Sequence, residues 1–427
     1  MKGTRITALI AAAWLALTPL VATGDTAWAA DKPDKPEKKI QPHRTDDKPK
    51  AKKDQILVAF RDGTPEDVER EVHRKKGGEV VDEVADLKVK VVKVRKGTAE
   101  ELIRDYRADP AVEYAEPDGL AYAQAFPADA PPSDWFYPQQ WALNDGAAPD
   151  ADIAAPEAWR ATIGSASVAI AILDTGIRAD HPDLAGKVQK SQNFTWSATA
   201  DDRYGHGTHV AASAAANTNN GQEGVAGVCP NCVLYSGKVL GDDGGGAYSW
   251  IANGIAWAAN NNARVINMSL GGTLPSITLQ RAVDNAWNKG AVLTCAAGNN
   301  GNSTRFYPAA SANCIAVGAT DGNNVKASFS NYGSSWVDVA APGVDILSAL
   351  PVDNSVNASP SGYAWWGGTS MAAPHVAGIA GLIRSKSPNG SAAAVRRCIE
   401  DGAARNAGTG SQWAKGLVNA AAAVTNC

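Results

Sequence analysis

The sequence has no cysteine before Cys229, no surplus of charge of one sign, and no long apolar run beyond its amino-terminal stretch. Each absence excludes something. Lys and Arg total 40 against 44 Asp and Glu, a net charge of -4. A chain so close to balance lacks the basic field that draws nucleic acid, so no nucleic-acid partner is expected. No later apolar stretch is long enough to cross a bilayer, so no membrane anchor is expected. The zinc-peptidase pattern H-E-x-x-H is missing, because Gly207 stands where its glutamate would be. G-x-S-x-G is missing too, which argues against an esterase of the α/β-hydrolase kind. No internal repeat is visible.

What is present begins with a secretory signal. Lys2 and Arg5 precede the mostly apolar run from Ile6 to Val21, and Ala27-Trp28-Ala29 supplies an A-x-A cleavage site. Thr18 and Pro19 interrupt the run, which favours a signal peptide (residues 1–29) over an anchor, and a secreted, extracellular product. In that compartment the six cysteines point to disulfides. Pairing sequence neighbours gives Cys229–Cys232, Cys295–Cys314 and Cys398–Cys427. Zinc at Cys229-Pro-Asn-Cys232 is disfavoured, since no second cysteine pair lies near.

Residues 30–54 are rich in Lys, Pro and Asp, a composition that cannot bury enough surface to fold and reads as a charged, disordered linker. The pattern changes at Gln55. Strands are expected at Ile56–Phe60, Glu79–Val84, Val89–Val94 and Val112–Glu116. Helices are expected from Thr64, as cap, to Lys76, and from Thr98, with Glu101 three residues on, to Ala108. This β-α-β-β-α-β order predicts a small α+β, ferredoxin-like domain over 55–122. Residues 123–132, rich in Ala and Pro, mark a boundary. Over 133–427, short apolar runs (Val168–Leu173, Val233–Val239, Arg264–Met268, Ala291–Ala296, Ile315–Val317) alternate with helical stretches. Among these are His206–Ala216, Ser249–Asn260 and Thr278–Asn288. That alternation predicts an α/β domain of three layers, a mostly parallel sheet with helices on both faces.

Three stretches carry chemistry. Asp174 ends the run Val168-Ala-Ile-Ala-Ile-Leu-Asp, where a strand would deliver it to the working edge of the sheet. His206 opens a predicted helix in Gly205-His-Gly-Thr-His-Val-Ala. Ser370 precedes a run of small apolar residues whose Pro374 suits a first helical turn. A weak alcohol nucleophile needs a base, and the base needs an acid to hold its tautomer. Each residue also has an ordinary reading, as turn acid, core histidine and helix cap. Asp180 and Asp183 read as turn residues, and His181, His209 and His375 as structural.

The motifs Ile172-Leu-Asp-Thr-Gly-Ile, His206-Gly-Thr-His-Val-Ala and Gly367-Gly-Thr-Ser-Met-Ala-Ala-Pro-His resemble those of the subtilisin-like serine proteases, in particular their thermitase branch. The likeness runs from Trp135 to Val424. The small domain, including its ending Asp109-Pro-Ala-Val-Glu-Tyr-Ala-Glu-Pro-Asp, resembles the family's inhibitory propeptide. The resemblance implies a secreted endopeptidase made as a self-processing zymogen, acting on proteins or peptides. Its own propeptide would serve as intramolecular chaperone and inhibitor. Ser370 would be nucleophile, His206 general base and Asp174 its partner, with Asn299 and the Ser370 N–H holding the oxyanion. Gly244, Gly245 and Gly246 would form one substrate-binding edge, and Ser269, Leu270 and Gly271 the other. Tyr248 and Leu270 would line the pocket for the fourth residue before the cut, and Phe306 would partly fill the first pocket. Calcium would be held by Asp134, Asn193 and Asn220, with carbonyls of 217–225, among them Asn217 and Val225. Asn193 stands where the family has a carboxylate, a loss Glu223 would offset. Cleavage is expected between Tyr122 and Pro132, and the mature enzyme is expected to be a monomer. The rival reading, an inactive protein-binding relative, predicts loss of a triad or oxyanion residue, yet all four are present.

Overall fold

A computed structural model describes residues 51–427, apart from 85–88, 96, 120–131, 145, 147–149, 221–223 and 354. The expected signal, most of the charged linker, nearly all of the processing segment and Glu223 lie outside the described residues.

The first domain runs β1 (Ala51–Phe60), α1 (Glu66–Lys76), β2 (Gly78–Val84), β3 (Val89–Val94), α2 (Ala99–Arg107) and β4 (Val112–Gly119). Its antiparallel sheet has the order β2-β3-β1-β4, the ferredoxin-like arrangement expected. Ile56 and Val58 alternate onto the face that meets Leu102, Ile103 and Tyr106 of α2. Thr98 and Glu101 form the anticipated reciprocal cap, and Gly77, at φ +73°, ends α1. Two boundaries differ. Residues 51–54 belong to β1 rather than the linker, with Ala51 opposite Gly119. Backbone pairing requires no apolar side chain, so a Lys-rich segment joins the ladder without announcing itself. The cap of α1 is Pro65 rather than Thr64, whose hydroxyl donates to the Arg61 carbonyl at 2.7 Å.

The second domain opens with α3 (Ala155–Trp159), then β5 (Ala169–Asp174), β6 (Val188–Asn193), α4 (His206–Ala215), β7 (Val233–Lys238) and α5 (Tyr248–Asn260). It continues with β8 (Val265–Met268), α6 (Ile277–Asn288), β9 (Val292–Ala296), β10 (Cys314–Thr320) and β11 (Val339–Pro342). A hairpin of β12 (Ile346–Ala349) and β13 (Tyr363–Trp366) precedes α7 (Thr369–Lys386), α8 (Ala392–Gly402) and α9 (Ala420–Thr425). The parallel sheet has the order β11-β10-β9-β8-β5-β7-β6. The chain thus winds one way from β5 through β6 and β7, and the other way from β8 to β11. β5 sits where the direction reverses, the place where such sheets form their ligand crevice.

Every residue of β5 is buried, but on two sides. Ile170 and Ile172 pack with Val210 and Ala211 of α4 and with Val376, Ile379 and Ile383 of α7. Ala171 and Leu173 pack with Ile251 and Ile255 of α5 and Val283 of α6. The strand's alternation therefore divides two cores, which fixes its register and brings Asp174 to its end. The disulfides are the three anticipated from neighbouring cysteines. Among the described residues no helix is long and apolar enough to cross a membrane.

Pro374 departs from expectation. α7 begins at Thr369, so the proline lies in the second turn, not the first. It cannot donate to the Ser370 carbonyl. The Ser269 hydroxyl does so instead, at 2.8 Å, which satisfies the acceptor and ties the start of α7 to the segment after β8.

Candidate active site

Strand ends and helix starts converge at one rim of the sheet. Asp174 ends β5 and is fully buried. Its Oδ1 accepts from the Thr175 N–H at 2.8 Å and lies 2.7 Å from Nδ1 of His206, the first residue of α4. Burial disfavours the imidazolium, but the Asp174 charge and hydrogen bond, with the charge of Asp202, outweigh it. The His206 pKa is therefore raised above the usual 6.5. Gly207 follows because nothing larger fits: a Cβ there would stand 2.1 Å from the Gly176 carbonyl.

Ser370 lies in the first turn of α7, where backbone N–H groups have no helical acceptor. Its hydroxyl donates to the Ser269 carbonyl at 3.1 Å. Asn299 follows β9, and its Oδ1 accepts from both the N–H and the hydroxyl of Thr369, at 2.9 Å each. A backbone N–H can only donate, so the amide's orientation is fixed and its NH₂ faces away from Thr369. A Cβ built on Gly368 would lie 3.4 Å from Asn299 Nδ2 and 3.6 Å from the Ser370 nitrogen. Two donors thus flank one space that glycine leaves open, and developing negative charge placed there would be stabilised.

The expected substrate edges border this rim. Gly245 and Gly246 are exposed after β7, while Ser269 and Leu270 are buried and Gly271 exposed after β8. Ser269 has its hydroxyl committed to the Ser370 carbonyl and accepting from Asn267 Nδ2, so only its backbone remains to meet a ligand. Tyr248, the first residue of α5, reaches across to donate to the Leu274 carbonyl at 3.0 Å. The Phe306 ring lies between two glycines. A Cβ on Gly271 would meet it at 2.6 Å and one on Gly298 at 3.0 Å.

His209 and His375 are both buried. His209 stacks on Trp366 at 5.0 Å and 11°, and burial pushes its pKa down to about 3. Burial likewise pushes His375 down to about 4.

The expected metal ligands are not all together. Asn193 is engaged locally: its Oδ1 accepts from the N–H and hydroxyl of Thr195 at 2.8 Å, and its amide donates to the Ser197 carbonyl. It turns β6 into the next loop. Asn217 donates its amide to the Ala185 carbonyl. The group forms around Asp183, which reads as a mere turn acid in the sequence. Its carboxylate is fully buried and accepts from the Asn220 amide at 3.0 Å and the Val225 N–H at 2.8 Å. Asp134, also buried, accepts from the Asn219 N–H at 2.9 Å. Burial raises both carboxyls, Asp134 to about 6, with the Asp183 charge adding to the rise.

A buried Asp–His pair ends and begins elements at the reversal point of a parallel α/β sheet, with Ser370 in the first turn of α7 and Asn299 after β9, an arrangement suited to chemistry by a serine nucleophile. Comparison with known proteins agrees. Residues 165–417 match the Subtilase family and residues 37–118 match the Fervidolysin N-terminal prodomain. The chain is 40% identical over 377 residues to a thermophilic serine proteinase of Bacillus sp. (strain AK1), covering 87% of each. It is 50% identical over 273 residues to thermitase of Thermoactinomyces vulgaris, covering 64% of this chain and 93% of the relative. A solved protease structure from Pseudoalteromonas arctica superposes with a TM-score of 0.62 at 33% identity. The match covers 69% of this chain and 99% of that one. The chain belongs to the subtilase family. It is a subtilisin-like serine endopeptidase with an amino-terminal prodomain.

Proposed function

We propose that Asp174, His206 and Ser370 are the catalytic triad of a secreted, self-processing endopeptidase. The observation that carries this is the 2.7 Å contact of Asp174 with His206 beside the space flanked by Ser370 N and Asn299 Nδ2. Ser370 Oγ attacks the scissile carbonyl while His206 Nε2 takes its proton. The oxyanion accepts from the Ser370 N–H and the Asn299 amide. His206 then protonates the leaving amine, and water repeats the sequence on the acyl-enzyme. The resting hydroxyl, turned to the Ser269 carbonyl, swings to His206 as substrate seats; such contacts tighten in the complex. An extended peptide lies between 244–246 and 269–271 as an added strand, with Tyr248 and Leu270 at its fourth residue and Phe306 at its first. Treating the mature enzyme with a serine-directed phosphonyl fluoride and mapping the adduct tests this. One adduct on Ser370, with activity lost in step, supports it; an adduct elsewhere, or none, refutes it.

The prodomain acts as folding aid and inhibitor until cleavage between Tyr122 and Pro132, and the signal at 1–29 directs export. The mature enzyme works on protein or peptide substrates as a monomer. Calcium suits the group around Asp134 and Asp183. The ion would be held by the buried carboxylates of Asp134 and Asp183, which supply hard oxygen; the Asn219 and Val225 N–H groups and the Asn220 amide are donors to these carboxylates, and binding would exchange those bonds for the ion. Its role would be to hold the loop 217–225 against Asp134.

A further inference from the structure

The most heavily bonded carboxylate near the rim is neither Asp174 nor part of the proposed triad. Asp202 lies four residues before His206 and is fully buried. Its Oδ1 accepts from the Thr175 hydroxyl at 2.8 Å and from the N–H groups of Tyr204 and Gly205 at 3.0 and 2.7 Å. Its Oδ2 accepts from the N–H and hydroxyl of Thr208 at 2.8 and 2.6 Å. The Thr175 hydroxyl in turn accepts from the Gly207 N–H at 2.9 Å, and the Thr175 N–H donates to Asp174 Oδ1. One carboxylate therefore joins the residue after Asp174 to both sides of His206 on α4. A cap alone would need one bond to the first turn.

We propose that Asp202 is a positioning residue for the reaction, locking the end of β5 to the first turn of α4 so that His206 Nδ1 meets Asp174 in the productive orientation. This rests on the assignment of Asp174, His206 and Ser370 above. Asp202 also places a second buried negative charge near the imidazole. The charged and titratable groups around His206 are Asp174 from β5, Asp202 from the preceding loop and His209 from α4 itself. β13 presents the uncharged ring of Trp366, at 6.0 Å, and α7 presents Ser370. Lys238 of β7 donates to the Thr175 and Asp201 carbonyls, next to both carboxylates rather than to either. Removing the Asp202 charge therefore weakens support for the imidazolium. Activity needs the neutral ring, so the acid limb of activity should move to lower pH.

The test compares mature wild type with Asp202→Asn, released from its precursor by added wild-type enzyme and then purified. kcat and KM on a short chromogenic peptide are measured across pH, per site titrated with the phosphonyl fluoride. Asn keeps shape and one acceptor oxygen but loses the charge. The expected result is kcat about tenfold lower with KM within about twofold. The acid limb should also move down by about half a pH unit. A variant that melts earlier but keeps the wild-type kcat and acid limb overturns the proposal, since Asp202 would then be structural only. If Asp202→Asn yields no folded enzyme, Thr175→Val decides: it cuts the bridge but leaves the charge. It should lower kcat, and Thr175→Ser should restore it; a Thr175→Val enzyme with wild-type kcat overturns the positioning role. Failure of wild type to take the label at Ser370 sinks the triad assignment beneath it, a result distinct from both.

Discussion

Phe306 shows how one side chain can set specificity at the proposed site. Its ring lies against Gly271 and Gly298, where the proposed binding mode puts the substrate's first side chain. Phe306→Gly should raise kcat/KM for large aromatic residues before the cut, relative to alanine, by about tenfold. Cleavage profiles that coincide before and after the change would mean the ring lies outside the pocket. At this scale the sequence was legible where a motif binds residues together. Asp174, His206, Ser370 and Asn299 each have an ordinary reading alone, and it is the surrounding stretches that carry the family likeness and with it their proposed roles. It was less legible where burial decides. Asn193 and Asp183 both lie in polar stretches of sequence, and only the packed loops reveal that Asn193, at the end of β6, folds back on Thr195 while Asp183 is enclosed beside Asn220 and Val225. Asp202 was missed for the same reason. Its position in Asp202-Arg-Tyr-Gly-His, just ahead of a helix, was the available signal.

The buried strands β5, β8 and β9 announced themselves as short, mostly apolar runs, whereas β11, equally buried but only four residues long and rich in alanine, did not. Nor did β6. Val188-Gln-Lys-Ser-Gln-Asn is largely exposed at the sheet edge and has no pattern to read. The β12–β13 hairpin, α8 and α9 were likewise unanticipated. In the prodomain, α1 and α2 are joined by a buried polar contact: His73 Nδ1 lies 2.7 Å from the Tyr106 hydroxyl, under the edge of Phe60. Burial, aided by the Lys90 charge, lowers the His73 pKa from 6.5 to about 4. The unfolded chain then binds the proton more readily than the folded one. The resulting stability is complete above pH 6.5 and is lost as pH falls toward 4, by about 3 kcal/mol in all. In the Ser370→Ala precursor, the urea midpoint of prodomain unfolding should fall over that window. His73→Phe should remove most of the dependence; equal slopes in the two proteins would contradict it.

At the scale of the whole molecule, domain order was legible from shifts in composition, while the exact end of the charged linker was not, because β1 begins inside it. Asp134 stands near the start of the second domain and Asp183 well inside it, so an ion held between them would fasten the domain's beginning to its sheet. Millimolar calcium should raise the melting temperature of the mature enzyme over that in chelator by several degrees, given about 3 kcal/mol at a hundredfold excess over Kd. Asp183→Asn should abolish the difference, and equal melting temperatures for wild type in calcium and chelator would refute the site. The claim on which the rest depends is that this chain matures by its own Ser370. Loss of the serine nucleophile in subtilisin, a relative, lowers turnover by about 2 × 10⁶. Intact-mass spectrometry of wild type and Ser370→Ala, each made in a protease-free system, tests the claim most directly. Wild type should yield a mature species of about 30 kDa, the size of one large domain, and Ser370→Ala should remain at the mass of the uncut precursor. A Ser370→Ala protein that matures as wild type does would contradict both the nucleophile and the self-processing.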